Sequence, residues 1–126
     1  MSALQPRRRE GVFAVVSVQG GPLALDCEAL AVEAMVREAE GWTLVMPLER
    51  AQAAGLSVLL ECAWLTLGLE TSLEAIGITA RVAGKLAAHG IACNVLAGAC
   101  HDHILVPVAR AAEAQEAIAT IVLFDA

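Results

Sequence analysis

Apolar residues recur along the chain at spacings that predict distinct elements. Val12-Phe13-Ala14-Val15-Val16-Ser17-Val18 is short, β-branched and followed by glycines, which predicts a buried strand. Gln19 to Asp26 is too short and too rich in Gly and Pro for a packed helix, so a loop is expected there. Leu30, Val32, Ala34 and Val36 alternate with Glu33 and Arg37, as a half-buried strand requires. A helix is the competing reading of this Ala- and Glu-containing stretch. Glu38-Ala39-Glu40-Gly41 then turns the chain into Trp42–Met46 to close a hairpin. Pro47 ends that strand, and Leu48 to Ala54 is expected as a short helix stopped by Gly55.

The second half begins with a long strand region, Ser57 to Leu69. Leu59, Glu61, Ala63, Leu65, Leu67 and Leu69 would share one face, so Glu61 sits at a rim or a bulge shifts the register. Thr71 to Ile76 is expected as a loop and Gly77 as the start of a helix. Ile78, Val82 and Leu86 mark its buried stripe, while Arg81, Lys85 and His89 form a second stripe that suits the C-terminal end of the helix dipole. Gly90 caps it. Ile91, Cys93, Val95 and Ala97 alternate with Ala92, Asn94 and Leu96 in the next strand. Gly98 to Asp102 turns, His103 to Val106 returns, and Pro107 stops it. A last helix is expected over Arg110 to Val122, burying Ala111, Ala114, Ile118, Ile121 and Val122.

The halves repeat. Pro47, Arg50, Ala51 and Ala54 recur sixty residues later as Pro107, Arg110, Ala111 and Ala114. Strand, turn, strand, proline and helix follow in the same order in both places. The first half lacks a counterpart of the helix Gly77 to His89, having the loop Gln19 to Asp26 instead. The expected organisation is a tail over residues 1–10, a truncated unit over 11–56 and a fuller unit over 57–126.

Composition narrows the function classes. The chain has 126 residues, 58% of them apolar and only 3% aromatic, so its core is aliphatic. That much aliphatic surface on a small chain predicts self-association, most simply a homodimer. A net charge of −6 argues against a nucleic-acid surface, which needs clustered Lys and Arg. Arg7-Arg8-Arg9 is the one basic run and is expected as a solvated tail. The apolar run that follows it is too short and too poorly flanked for an export signal, and no uninterrupted stretch is long enough to span a membrane, so a cytoplasmic location is expected. Cys27, Cys62, Cys93 and Cys100 have no Cys-x-x-Cys spacing and are expected as reduced core residues.

Strand, helix, strand, strand, helix is most of a split βαβ ferredoxin-like unit. Glu74, then Gly77-Ile78 three positions on, then a helix with Arg81-Val82, then Gly90-Ile91 opening a strand, resembles the signature of the ACT domain. Leu73–Ala80, His89–Val95 and His101-Asp102-His103-Ile104, together with Arg37–Val45 in the first half, look like a bacterial group of tandem ACT proteins. The resemblance covers nearly the whole chain after the arginines. It implies an α+β fold of tandem ferredoxin-like (ACT) βαββαβ units, antiparallel sheets with helices on one face, the first copy lacking its first helix. It also implies a non-enzymatic regulatory protein that binds an amino acid or related metabolite between paired domains. Two features depart from the pattern: Ile76 stands where a proline usually precedes the signature glycine, and the fourth strand of the second unit must come from elsewhere, Val12–Val18 and a partner chain being the candidates.

The candidate ligand-binding residues are Glu74, Gly77, Ile78, Thr79, Asn94, Val95, His101, Asp102 and His103. Backbone N–H groups of Ile78 and Thr79 are unpaired at a helix start, and a glycine before them lets a carboxylate approach. The structural alternative is that Gly77 permits a turn or close packing. Asn94 is either a ligand-orienting amide or a buried strand residue satisfied by backbone. His101 and His103 on a strand would lie on one side with Asp102 on the other, which allows two metal ligands but not three. Contact with a bound metabolite or hydrogen bonding within the turn is the alternative. No Gly-x-Ser-x-Gly, P-loop or dinucleotide motif is present, so neither catalysis nor a cofactor is expected. A ligand-free dimerisation module and a metal-dependent enzyme using His101 and His103 remain as competing functions.

Overall fold

The computed structural model describes residues 2–123, which divide into two compact units. One comprises Gly11–Cys62; the other combines Ala63–Ala126 with the N-terminal segment Met1–Glu10. In chain order the elements open with β1 (Ser2–Ala3) and β2 (Pro6–Arg8), which precede the first unit. That unit then holds β3 (Phe13–Gln19), β4 (Ala34–Glu38), β5 (Gly41–Pro47) and α1 (Leu48–Ala53). β6 (Val58–Leu67) gives residues 58–62 to this unit and residues 63–67 to the other. There it is followed by α2 (Ile78–Ala88), β7 (Asn94–Ala97), β8 (Asp102–Pro107), a 3₁₀ turn (Val108–Arg110), α3 (Ala111–Ala119) and β9 (Val122–Leu123).

In the first unit the strands lie in the order β4-β5-β3-β6, all antiparallel. This is the ferredoxin-like order of strands two, three, one and four. Ala14, Val16, Leu44, Met46 and Ala51 form its buried core. A helix should follow β3, and only its last turn exists. Asp26 accepts the Ala29 N–H at 3.0 Å through Oδ1, as an N-cap does. Val32 N–H then reaches Cys27 O at 2.9 Å around Ala31, which holds φ 55°. The same closure ends α2, where Ile91 N–H meets Leu86 O at 2.9 Å around Gly90, φ 68°. Leu23, Leu25, Leu30 and Val32 cover the core in the missing helix's place. The expected strand over Leu30 to Val36 is therefore corrected: pairing starts at Ala34, because Asp26 and the left-handed Ala31 hold Leu30 and Val32 in a helical turn.

The repeat seen in the sequence has a structural counterpart. Pro47 (φ −56°, ψ 135°) and Pro107 (φ −53°, ψ 134°) enter their helical turns with the same backbone. Arg50 donates to Ala29 O at 2.7 Å, and Arg110 to His89 O at 2.9 Å. Each arginine thus ties the second helix of its unit to the carbonyls that end the first helix, or what is left of it.

In the other unit β2 pairs antiparallel with β6, which neighbours β8, which pairs with β7. Ala63, Leu65, Leu67, Ile104 and Val106 face Val82 and Leu86 of α2 and Ala111, Ala114, Ala117 and Ile118 of α3 in one core, so both helices cover one face. The missing fourth strand is β2, drawn from the arginine segment, which corrects the candidate Val12–Val18, a stretch that serves the first unit as β3. The expected solvated tail is thus corrected: Arg7 pairs with Thr66, Arg8 with Leu65, and Leu4 is fully buried in the core. Pairing occupies the backbone of this segment, while the long side chains of Arg7 and Arg8 keep their charges exposed.

Two smaller expectations change, and the one for Glu61 is met. The last helix stops at Ala119, where the Thr120 hydroxyl donates to Ala117 O at 2.6 Å; β-branched Ile121 and Val122 then extend, and Val122 pairs with Ala3 instead of burying on a helix. The strand expected from Ile91 begins at Asn94, since Ile91 is occupied in closing α2. Glu61 is exposed, and the register between β3 and β6 shifts beside it, Val15 facing Leu60 and Val16 facing Val58.

Candidate functional site

α2 opens on Gly77 with φ 92°, a left-handed conformation that side chains rarely adopt. A Cβ built there meets nothing within 4 Å, so the glycine is required by its backbone and the space over it is open. No side chain caps this end and no acidic residue lies in the first turn. The N–H groups of Ile78 and Thr79 therefore begin the helix with no side-chain cap and no acid from its own first turn. Ile78 packs its side chain on the core and Thr79 is exposed. Glu74, also exposed, lies in the preceding loop, its N–H on the Ser72 hydroxyl at 3.1 Å.

Thr71 N–H reaches Cys100 O at 3.4 Å, which places this loop against the β7–β8 turn. The turn is tight around Gly98: a Cβ there would stand 2.7 Å from His101 O. β8 starts at Asp102, so His101 precedes the strand and the alternation expected for His101 and His103 does not extend to it. Asp102 shares its side of β8 with Ile104, whose side chain is in the helix-covered core, and Val95 packs on that core too. Asn94 and His103 take the opposite side by alternation, and Asn94 is exposed, which corrects the reading of it as a buried strand amide. Gly77, Ile78, Thr79, Val95 and Asp102 thus belong to the helix side of the sheet, whereas Asn94 and His103 do not.

His103 is held by a different set of groups. Its Nδ1 lies 3.2 Å from Trp64 Nε1 and 3.0 Å from Thr66 Oγ1, with its ring 5.3 Å from that of Trp64. The Arg9 guanidinium covers Trp64 at 4.9 Å. An indole N–H only donates, so this arrangement uses Nδ1 as an acceptor and suits neutral His103. Burial and then neighbouring His101 push its pKa below the usual histidine value, with Arg9 adding to this and Asp102 opposing it. Because the folded state resists the proton, His103 stabilises the unit fully above the unfolded histidine pKa of about 6.5, and that stability falls as the pH drops through the lower folded value. Urea unfolding at stepped pH values should show this loss below about 6.5, and His103→Gln should flatten it. An unchanged profile in the variant would remove His103 as the cause.

His101 Nδ1 is buried with no partner among the described residues. No group of three or more His, Cys, Asp or Glu there could hold a metal. Burial pushes the Cys62 thiol up to about 11 and raises that of Cys93, which suits inert core thiols; exposed Cys100 departs from the expected core placement. No helix of the described residues is long and apolar enough to cross a membrane.

The truncated unit holds a feature that periodicity missed. A pocket of about 480 Å³ lies between the loop Gly20–Leu23 and the hairpin Arg37–Trp42. Trp42 Nε1 donates to Gly21 O at 3.2 Å, and Arg37 lies over the Trp42 ring at 5.6 Å. The signal was present as a Gly-Gly-Pro loop ahead of a tryptophan hairpin, and both read as ordinary turns.

The geometry defines a pair of ferredoxin-like units with an open glycine helix start. The ACT domain family matches over residues 1–63 and again over residues 59–120. A solved Vibrio cholerae protein of unknown function, described as a possible transport protein, is 40% identical, with 96% of this chain and 91% of that one covered at a TM-score of 0.86. An Agrobacterium tumefaciens protein is 15% identical over 94% and 89% of the two chains, TM-score 0.72. The ligand-free regulatory subunit of aspartate kinase from Thermus thermophilus is 13% identical over 97% and 100%, TM-score 0.63. Comparison with curated proteins gave no match. The chain belongs to the ACT domain family, as a tandem pair, and this is a non-catalytic, regulatory class of domain.

Proposed function

We propose that this protein senses an amino acid or closely related metabolite at the start of α2, as a cytoplasmic homodimer that regulates another protein. The observation that carries the reading is Gly77: a left-handed glycine opens a helix whose first turn has neither a capping side chain nor an acid, beneath open space. A ligand carboxylate would be received by the Ile78 and Thr79 N–H groups. Asp102 and Glu74, at the same end, supply carboxylates for an ammonium group. Leu73 and Ile76, 70% and 97% exposed in the adjoining loop, provide apolar surface that a second subunit would cover. The same exposure supports the second reading, a dimerisation module that has lost its ligand.

A thermal-shift screen of the standard amino acids at near-millimolar concentration separates the two. Binding at a tenfold excess over Kd should raise the midpoint by roughly 4–7 °C. Gly77→Asn should abolish the shift, because asparagine tolerates the left-handed backbone while its side chain fills the approach. No response to any amino acid, with a dimer still seen by light scattering, would leave the dimerisation module as the function.

A further inference from the structure

We infer that the pocket of the truncated unit is a second small-molecule site, built for an aliphatic carboxylate. The register Arg37↔Trp42 sets both side chains on one side of the hairpin, the side where Leu44 and Met46 enter the core. In the other unit that side is covered by a full helix. Here a single helical turn and a loop replace it, and the pocket of about 480 Å³ stands beside that loop, within the range of small-molecule sites.

Its lining sorts into a head and a wall. The Arg37 guanidinium lies 5.6 Å from the centre of the Trp42 ring and has no carboxylate partner among the described residues. The neighbouring Glu38 carboxylate is occupied by the Thr43 hydroxyl. A fork of N–H donors receives a carboxylate with both oxygens engaged. Pro22, Leu23 and Ala39 supply an apolar wall for the rest of the ligand. The indole N–H bond to Gly21 O holds the loop that closes the pocket, so the site is formed before the ligand arrives.

The site is independent of the Gly77 reading, and calorimetry on the full chain tests it with 4-methylpentanoate as probe. Saturable binding in the millimolar range or tighter is expected, weakened at least tenfold in Arg37→Gln and unchanged in Gly77→Asn. The neutral isostere 4-methylpentanamide should not bind. Absence of saturable heat with 4-methylpentanoate, equal binding in Arg37→Gln, or equal binding of the amide would each overturn the inference. Loss of binding in Gly77→Asn would overturn it too, by assigning the ligand to the α2 site.

Discussion

Leu4→Ala is expected to destabilise the unit that contains residues 63–123 by about 2–5 kcal/mol, although the residue lies in what reads as an N-terminal tail. Leu4 is fully buried beside Ala63, Leu65, Ile104 and Ile118. The segment around it is anchored at several points. Ser2 and Ala3 pair with Leu123 and Val122, Gly68 N–H meets Gln5 O at 2.8 Å, and Gln115 Nε2 donates to Pro6 O at 3.1 Å. Arg7 and Arg8 then pair with Thr66 and Leu65. Truncating a fully buried leucine leaves a cavity that surrounding strands cannot close, whereas truncating one in a solvated tail costs nothing measurable. Urea unfolding followed by circular dichroism reads the difference. A midpoint unchanged from wild type would return the segment to the solvent.

Gly41→Ala should cost about 3 kcal/mol or more, through strain and overpacking together. Gly41 has φ 151° and faces Gln19 across the ladder, and an added Cβ would stand 2.2 Å from Val18 O and 2.9 Å from Gln19 Cα. Both are backbone atoms of a paired strand, so neither gives way cheaply. Gly84 makes the contrast: it lies inside α2, where an added Cβ meets nothing within 4 Å. Gly84→Ala should therefore stabilise by about 0.5–1 kcal/mol through helix propensity. Thermal unfolding of the two variants beside wild type checks both signs. A Gly41→Ala midpoint close to wild type would mean that the hairpin is held less tightly than its register implies.

Much of this architecture was legible because local patterns and global fold agree. The stripe Val82 and Leu86, the caps Gly77 and Gly90, and the prolines that stop β5 and β8 each act within a few residues of themselves. The sixty-residue repeat was visible because Pro47 and Pro107 perform the same backbone task, and Arg50 and Arg110 the same bond. What remained hidden depends on distant partners. Nothing local in Pro6-Arg7-Arg8 marks it as the fourth strand, since its pairing is with Leu65–Leu67 and a run of arginines resembles a solvated tail. The last turn of the lost helix was hidden for another reason: an alanine, Ala31, holds the left-handed position that Gly90 holds in the fuller unit.

The candidate site was partly legible on the same terms. Gly77 could be read from sequence because a helix start is local. The grouping of Asn94 with Asp102 could not, because the face each takes depends on where β7 and β8 begin and how they pair. His103 resembled a metal or ligand residue by spacing, while its ring is taken up by Trp64 and Thr66, nearly forty residues earlier.

Backbone amide shifts of the ¹⁵N-labelled chain, followed while titrating the amino acid that raises the thermal midpoint, test the central proposal most directly. Saturable shifts largest at Ile78 and Thr79, with Asp102 responding and Trp42 unmoved, are the predicted result. Saturable shifts that leave Ile78 and Thr79 in place, or no saturable shifts anywhere, would contradict it.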